Sequence, residues 1–149
     1  MKTLFQKEAV EEIINRVNKL SPSSQRQWGK MNVEQMLAHC SVGLETAIGL
    51  KFYPQLLMGK LIGRFFKSFG IGDRPISKNG PTNPGFIITT TMGFEKEKEN
   101  LIILTKQFSE GGEAKCTSNP HSFFGKLTPI EWGRLMYKHL DHHLKQFGV

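Results

Sequence analysis

Acidic residues are scarce in the middle of this chain. From Thr46 to Phe94 the only one is Asp73, against Lys51, Lys60, Arg64, Lys67, Arg74 and Lys78. Most of the net charge of +7, from 20 bases and 13 acids, therefore resides in that third. Such a segment attracts anionic small molecules, phospholipid surfaces or nucleic acid, or else serves as a solvated helix face or oligomer surface. Cysteine is equally sparse. Cys40 and Cys116 make neither a disulfide framework nor a metal-knuckle spacing, which reads as reduced thiols in a cytoplasmic protein. No apolar run approaches the ~20 residues of a membrane span. Met1 to Val10 carries acid early and has no apolar centre, so a secretory signal is not expected. Also missing are a glycine-rich phosphate loop and a nucleophile elbow. Neither a helix-turn-helix nor aromatic–basic interleaving accompanies the charge, so nucleic acid is not an expected partner.

What remains is an ordinary globule: 38% hydrophobic and 22% charged residues rule out a disordered tail. A length of 149 residues suits one domain, 1–149, with a sizeable core. Helical periodicity dominates. Leu4, Ala9, Ile13, Ile14, Val17 and Leu20 form an apolar stripe that predicts a helix over Leu4–Leu20, broken by Ser21-Pro22-Ser23-Ser24. Asn32 with Gln35 three residues on has the spacing of a capping box, opening a helix that continues to about Ile48.

The segment Phe52–Phe69 is apolar and basic with helical spacing, although Gly59 and Gly63 would weaken it by about 1 kcal/mol each. Gly70 to Gly85 holds four glycines and three prolines and reads as an ordered loop or lid. Phe86 to Thr91 is β-branched but has no pairing partner, so it is expected to be extended or loop. A further helix runs over Phe94–Glu110 and stops at Gly111-Gly112. The last opens on Thr128, Pro129 and Glu131, a capping box with proline in the first turn. Four principal helices and one extra helical segment predict an all-α bundle with a long ordered loop.

Chemistry concentrates in the last helix. Trp132, Leu135, His139, His143 and Gln146 lie on one stripe, and residues four apart stand one turn apart on the same face. Two neutral imidazoles facing a core need partners for their nitrogens, and a divalent metal can accept both. A third donor from another helix would complete the set with positions left open. His142 points about 100° away from His143 and reads as a rim residue. His39, alone on an apolar face, reads by itself as a hydrogen-bonded core histidine. Its neighbour Cys40 reads as a buried, inert thiol. His121 either reaches the site from its loop or anchors that loop. Arg64 and Lys67 either bind an anionic substrate or are solvated at the surface.

The stretch Trp28-Gly29-Lys30-Met31-Asn32-Val33-Glu34-Gln35-Met36-Leu37-Ala38-His39 resembles the capped second helix, ending in Leu-x-His, of the DinB-like (YfiT-like) metal-binding four-helix-bundle superfamily. His139-Leu140-Asp141-His142-His143-Leu144-Lys145-Gln146 is similar to that superfamily's last-helix motif, His-x-x-His-His-x-x-Gln. Pro120 to Thr128 resembles the His-Pro-Phe-Phe-Gly segment of an uncharacterised subfamily, with Ser122 where proline is usual. Leu144-Lys145-Gln146 replaces the commoner Arg-Gly-Gln ending. The resemblance spans nearly the whole chain.

It implies a DinB-like four-helix bundle in which His39, His139 and His143 bind a divalent metal such as Zn, Ni or Fe. It also implies the superfamily's activities, among them thiol-dependent transfer with a low-molecular-weight thiol. The expected function is therefore a metal-dependent transferase or hydrolase acting on a small anionic substrate. The alternative is a non-catalytic bundle that binds a small ligand or partner. A third reading lays Phe52–Phe69 on an anionic membrane, although a homodimer through the same segment is the more expected association.

Overall fold

The computed structural model describes residues 2–149. Among them there are five α-helices and no strand: α1 Lys7–Asn18, α2 Val33–Ala47, α3 Leu57–Ile71, α4 Phe94–Gly111 and α5 Pro129–Gln146. Short 3-10 turns occur at Pro84–Phe86 and Glu113–Lys115. The protein is all-α, as its periodicity predicts. No described helix is long and apolar enough to cross a membrane.

Helices α1, α4, α2 and α5 pack in a closed ring, each against two neighbours, while α3 rests on α5 alone among the helices. The core inside the ring is built on Leu4, Ile13, Met36, Leu37, Leu44, Leu101, Phe108, Trp132, Leu140 and Leu144, all essentially inaccessible to solvent. Helix α2 is buried over most of its circumference, which matches its nearly unbroken run of apolar and small residues. Arg16 fastens α1 to α5: its guanidinium pairs with Asp141 at 2.8 Å and donates to the Val149 carbonyl at 2.9 Å.

Helices α1 and α3 differ from the sequence reading at both ends, and α3 runs on through Gly70 and Ile71, so the loop expected from Gly70 starts only at Gly72. Leu4 and Leu20 are buried but lie outside α1. The Leu4 N–H donates to the Gly133 carbonyl of α5 at 3.2 Å, so its apolar side chain serves the core while its backbone belongs to a turn. Helix α3 begins only at Leu57, because Pro54 holds the preceding segment extended and the Leu56 N–H is taken by the Ser122 carbonyl at 2.8 Å. The connection from Gly72 to Gly93 contains the Pro84–Phe86 turn, which packs on α2. Its Ile87–Thr91 stretch is irregular and makes no ladder, as expected for a segment without a partner.

Candidate metal centre

Two capping boxes fix where the helices that carry the site begin. In α2 the Gln35 N–H donates to Asn32 Oδ1 at 2.8 Å, and the Asn32 N–H donates to Gln35 Oε1 at 3.0 Å. In α5 the Thr128 N–H donates to Glu131 Oε2 at 2.8 Å and the Glu131 N–H returns to Thr128 Oγ1 at 3.3 Å. With both starts satisfied, His39 comes inward just over a turn after Gln35. His139 and His143 come inward on adjacent turns of α5.

The three histidines meet. One ring nitrogen from each lies within 4.8 Å of the others, and His39 Nε2 is 3.0 Å from His139 Nε2. Ring centroids are 4.7 Å apart for His39–His143 and for His139–His143, and 5.0 Å for His39–His139. Among the described residues no carboxylate or thiol joins this group.

The opposite edges of the rings determine their tautomers. His39 Nδ1 is 3.0 Å from the Phe86 carbonyl, which only accepts, so Nδ1 carries the proton and Nε2 the lone pair. His143 Nδ1 is 2.9 Å from Gln146 Oε1. The amide of Gln146 is oriented by its own donation through Nε2 to the Trp28 carbonyl at 2.7 Å, so Oε1 must face the ring. His143 therefore also offers Nε2 as a lone pair. His139 Nδ1 is buried, packs against Gly43 and has no hydrogen-bond partner.

Burial is the leading cause holding all three imidazoles neutral. It lowers the pKa of His39, against a smaller opposing pull from the Phe86 carbonyl. Burial, then the charge His143 would carry, keeps His139 well below the ordinary range. His143 is pushed down to about 3, by burial first and His39 second. In a neutral triad, the lone pairs of His39 and His143 have no proton donor within the group to share except a single one from His139. A cation satisfies such a donor set. The 3.0 Å separation is within the span of two nitrogens each about 2.0–2.1 Å from one ion. The three histidines can hold a divalent metal ion.

The remaining candidates have other tasks. His142 is half-buried on the rim, 5.7 Å from the Trp28 ring, and stands outside the converging group. His121 anchors its loop: Nδ1 accepts the N–H groups of Phe123 and Phe124, each at 3.1 Å. Burial holds it neutral, with its pKa lowered to about 4. Cys40 is buried with Sγ 3.7 Å from Met36 Sδ, and burial raises its thiol far above the reactive range. Lys67 is engaged by Glu131 at 2.7 Å, and the Arg64 guanidinium lies over the Phe65 ring at 4.6 Å.

Two contributors carried no role in the sequence reading. Gln146 was visible as a polar residue on the stripe, one turn beyond His143, and that spacing is the signal for its hydrogen bond. The Phe86 carbonyl had no signal, because any residue type supplies the same atom.

Compared with known proteins, the chain matches the family described as "Protein of unknown function (DUF1569)" over residues 2–148. No curated protein matches it, and no solved structure does.

Proposed function

The chain belongs to this family of unknown function, and from the geometry of its three histidines we propose that it is a divalent-metal-dependent enzyme. The observation that carries the reading is the convergence of one ring nitrogen from each of three histidines of α2 and α5, with two of the rings held from behind by Phe86 and Gln146. Three neutral ligands leave the ion its full charge and leave coordination positions for water and substrate. The chemistry such an ion supplies is a lowered pKa for a bound water or thiol, which yields a nucleophile at neutral pH. The protein's own residues supply position: His39 and His143 are fixed in one tautomer, and His139 is held by its packing on Gly43.

The closed ring of α1, α4, α2 and α5 supports a DinB-like four-helix bundle, as does the placement of the three motif histidines within it. On that resemblance the reaction is a thiol-dependent transfer or a hydrolysis, and the basic middle segment favours a small anionic substrate. The identity of the metal is one of Zn, Ni or Fe. Elemental analysis of protein purified without a histidine tag should give one equivalent of a divalent metal. A screen of metal-loaded protein with low-molecular-weight thiols and ester or halide electrophiles should then show turnover. Metal-free protein that refuses metal in titration would end this reading.

A second reading, a non-catalytic ligand-binding bundle, is favoured by the cover over the site. The Pro84–Phe86 turn packs on α2, and Tyr53 closes on Phe86 with ring centroids 4.8 Å apart. Stoichiometric metal without turnover of any electrophile would select it.

A further inference from the structure

Helix α3 is built inside out. An amphipathic helix ordinarily turns its large apolar side chains to the core. Here the inward stripe is glycine: Gly59, Gly63 and Gly70 are buried. A Cβ on Gly59 or Gly63 would run into the Phe123 backbone, and one on Gly70 into the Phe124 ring. The close approach is held by Lys138, whose ammonium donates to the Phe69 and Gly72 carbonyls, and by the Lys67–Glu131 ion pair. The large residues are thereby turned outward. Leu57 is 75% exposed, Leu61 and Phe65 are 63% exposed, and Met58 and Phe69 stand beside them. At 100° per residue these five share one arc, about 18 Å long from Leu57 to Phe69. Lys60, Arg64 and Lys67 fall together on its flank.

Of that flank only Lys67 is paired among the described residues, to Glu131, and the charges of Lys60 and Arg64 are unanswered. No acid occurs in α3. Among the described residues Lys60 and Arg64 have no carboxylate partner, and Arg64 lies over the Phe65 ring at the margin of the apolar strip. Arg74 repeats the arrangement, 5.4 Å from the Phe69 ring.

We propose that the outward face of α3 docks on an anionic lipid bilayer. It lies in the interface plane with Leu57, Leu61 and Phe65 at the acyl boundary and Lys60 and Arg64 at the headgroup phosphates. Charge selects the bilayer over a second copy of the chain. A two-fold interface would bring this basic flank against its own image, with Asp73 the only acid between Thr46 and Phe94 to answer it. The proposal does not depend on the metal site.

The test is co-sedimentation of the full chain with phosphatidylglycerol vesicles and with phosphatidylcholine vesicles, beside analytical ultracentrifugation without lipid. Binding to the anionic vesicles is expected, weaker by about tenfold or more on the neutral ones. Leu61→Glu with Phe65→Glu should lower binding by about tenfold or more. Lys60→Gln with Arg64→Gln should lower it by a similar factor and flatten its salt dependence. All four side chains face solvent, so helical circular dichroism should be unchanged. Three results would overturn the proposal: no binding to anionic vesicles, binding unaltered in the Leu61→Glu/Phe65→Glu variant, or a lipid-free dimer that this variant splits. The last would give the strip to a second copy.

Discussion

His143 and Gln146 are tied ring to amide: the imidazole Nδ1–H donates to Oε1 at 2.9 Å, and the same amide donates to the Trp28 carbonyl at 2.7 Å. The bond reaches from the histidine-bearing stripe of α5 to the segment before α2. It decides which nitrogen of His143 is free, and hence whether its lone pair points at the other two rings.

Replacing Gln146 by leucine keeps the volume and removes both hydrogen bonds. Metal affinity should fall about 10–100-fold, as for other lost outer partners of ligating histidines. Competition with a chelator at a temperature where the variant is fully folded would measure it. An unchanged affinity would mean that the amide does not orient the ring.

Alanine at His139 or His143 should abolish stoichiometric metal while leaving the helical circular dichroism largely intact. Both helices are capped at their starts and share a large apolar core beyond the imidazoles, so the lost donors take the ion and not the helices. His39→Ala should behave alike. Elemental analysis beside the spectrum tests this, and full metal content in both α5 variants would remove the site.

Gly63→Ala places a methyl group on the Phe123 carbonyl, and neither backbone can yield without lifting α3 from its bed. We expect destabilisation of about 1–3 kcal/mol, read in thermal unfolding. Metal binding should persist, because α3 contributes nothing to the three-histidine group. Wild-type stability in this variant would show that α3 is not seated on the Phe123 loop.

His121 should make the fold acid-sensitive. Its folded pKa, about 4, is depressed from the ordinary 6.5 by burial, so the unfolded chain takes up its proton first. The associated stability is present above pH 6.5 and is lost as pH falls toward 4, a difference on the order of 3 kcal/mol. His121→Asn keeps an acceptor for the Phe123 and Phe124 N–H groups but cannot titrate. Denaturant unfolding at pH 7 and pH 4.5 should show a smaller loss in that variant than in the wild type. Equal losses would exclude His121 from the acid response.

Most of the helical architecture was readable from local chemistry. The Asn32–Gln35 and Thr128–Glu131 boxes, Pro129 and the Gly111-Gly112 stop act within a few residues, and the structure has each of them at work. The His139–His143 pair follows from helix geometry alone. Leu4 and Pro54 show the limit. The stripe through Leu4 is true of the core but not of the helix, because burial and backbone conformation are separate properties of a residue. By helix propensity alone the glycines of α3 are a weakness. They are what lets the helix approach the Phe123 backbone.

The order of residues alone determined an all-helical chain with two inward imidazoles one turn apart and a middle third almost without acid. Only the folded arrangement brought His39 across a hundred residues of chain to within 3.0 Å of His139, placed the Phe86 carbonyl behind it, and turned Leu61 and Phe65 away from the core. The reason is one of range. Periodicity and capping are set by neighbours three or four positions away, whereas convergence on a single point depends on which helices pack together and at what rotation.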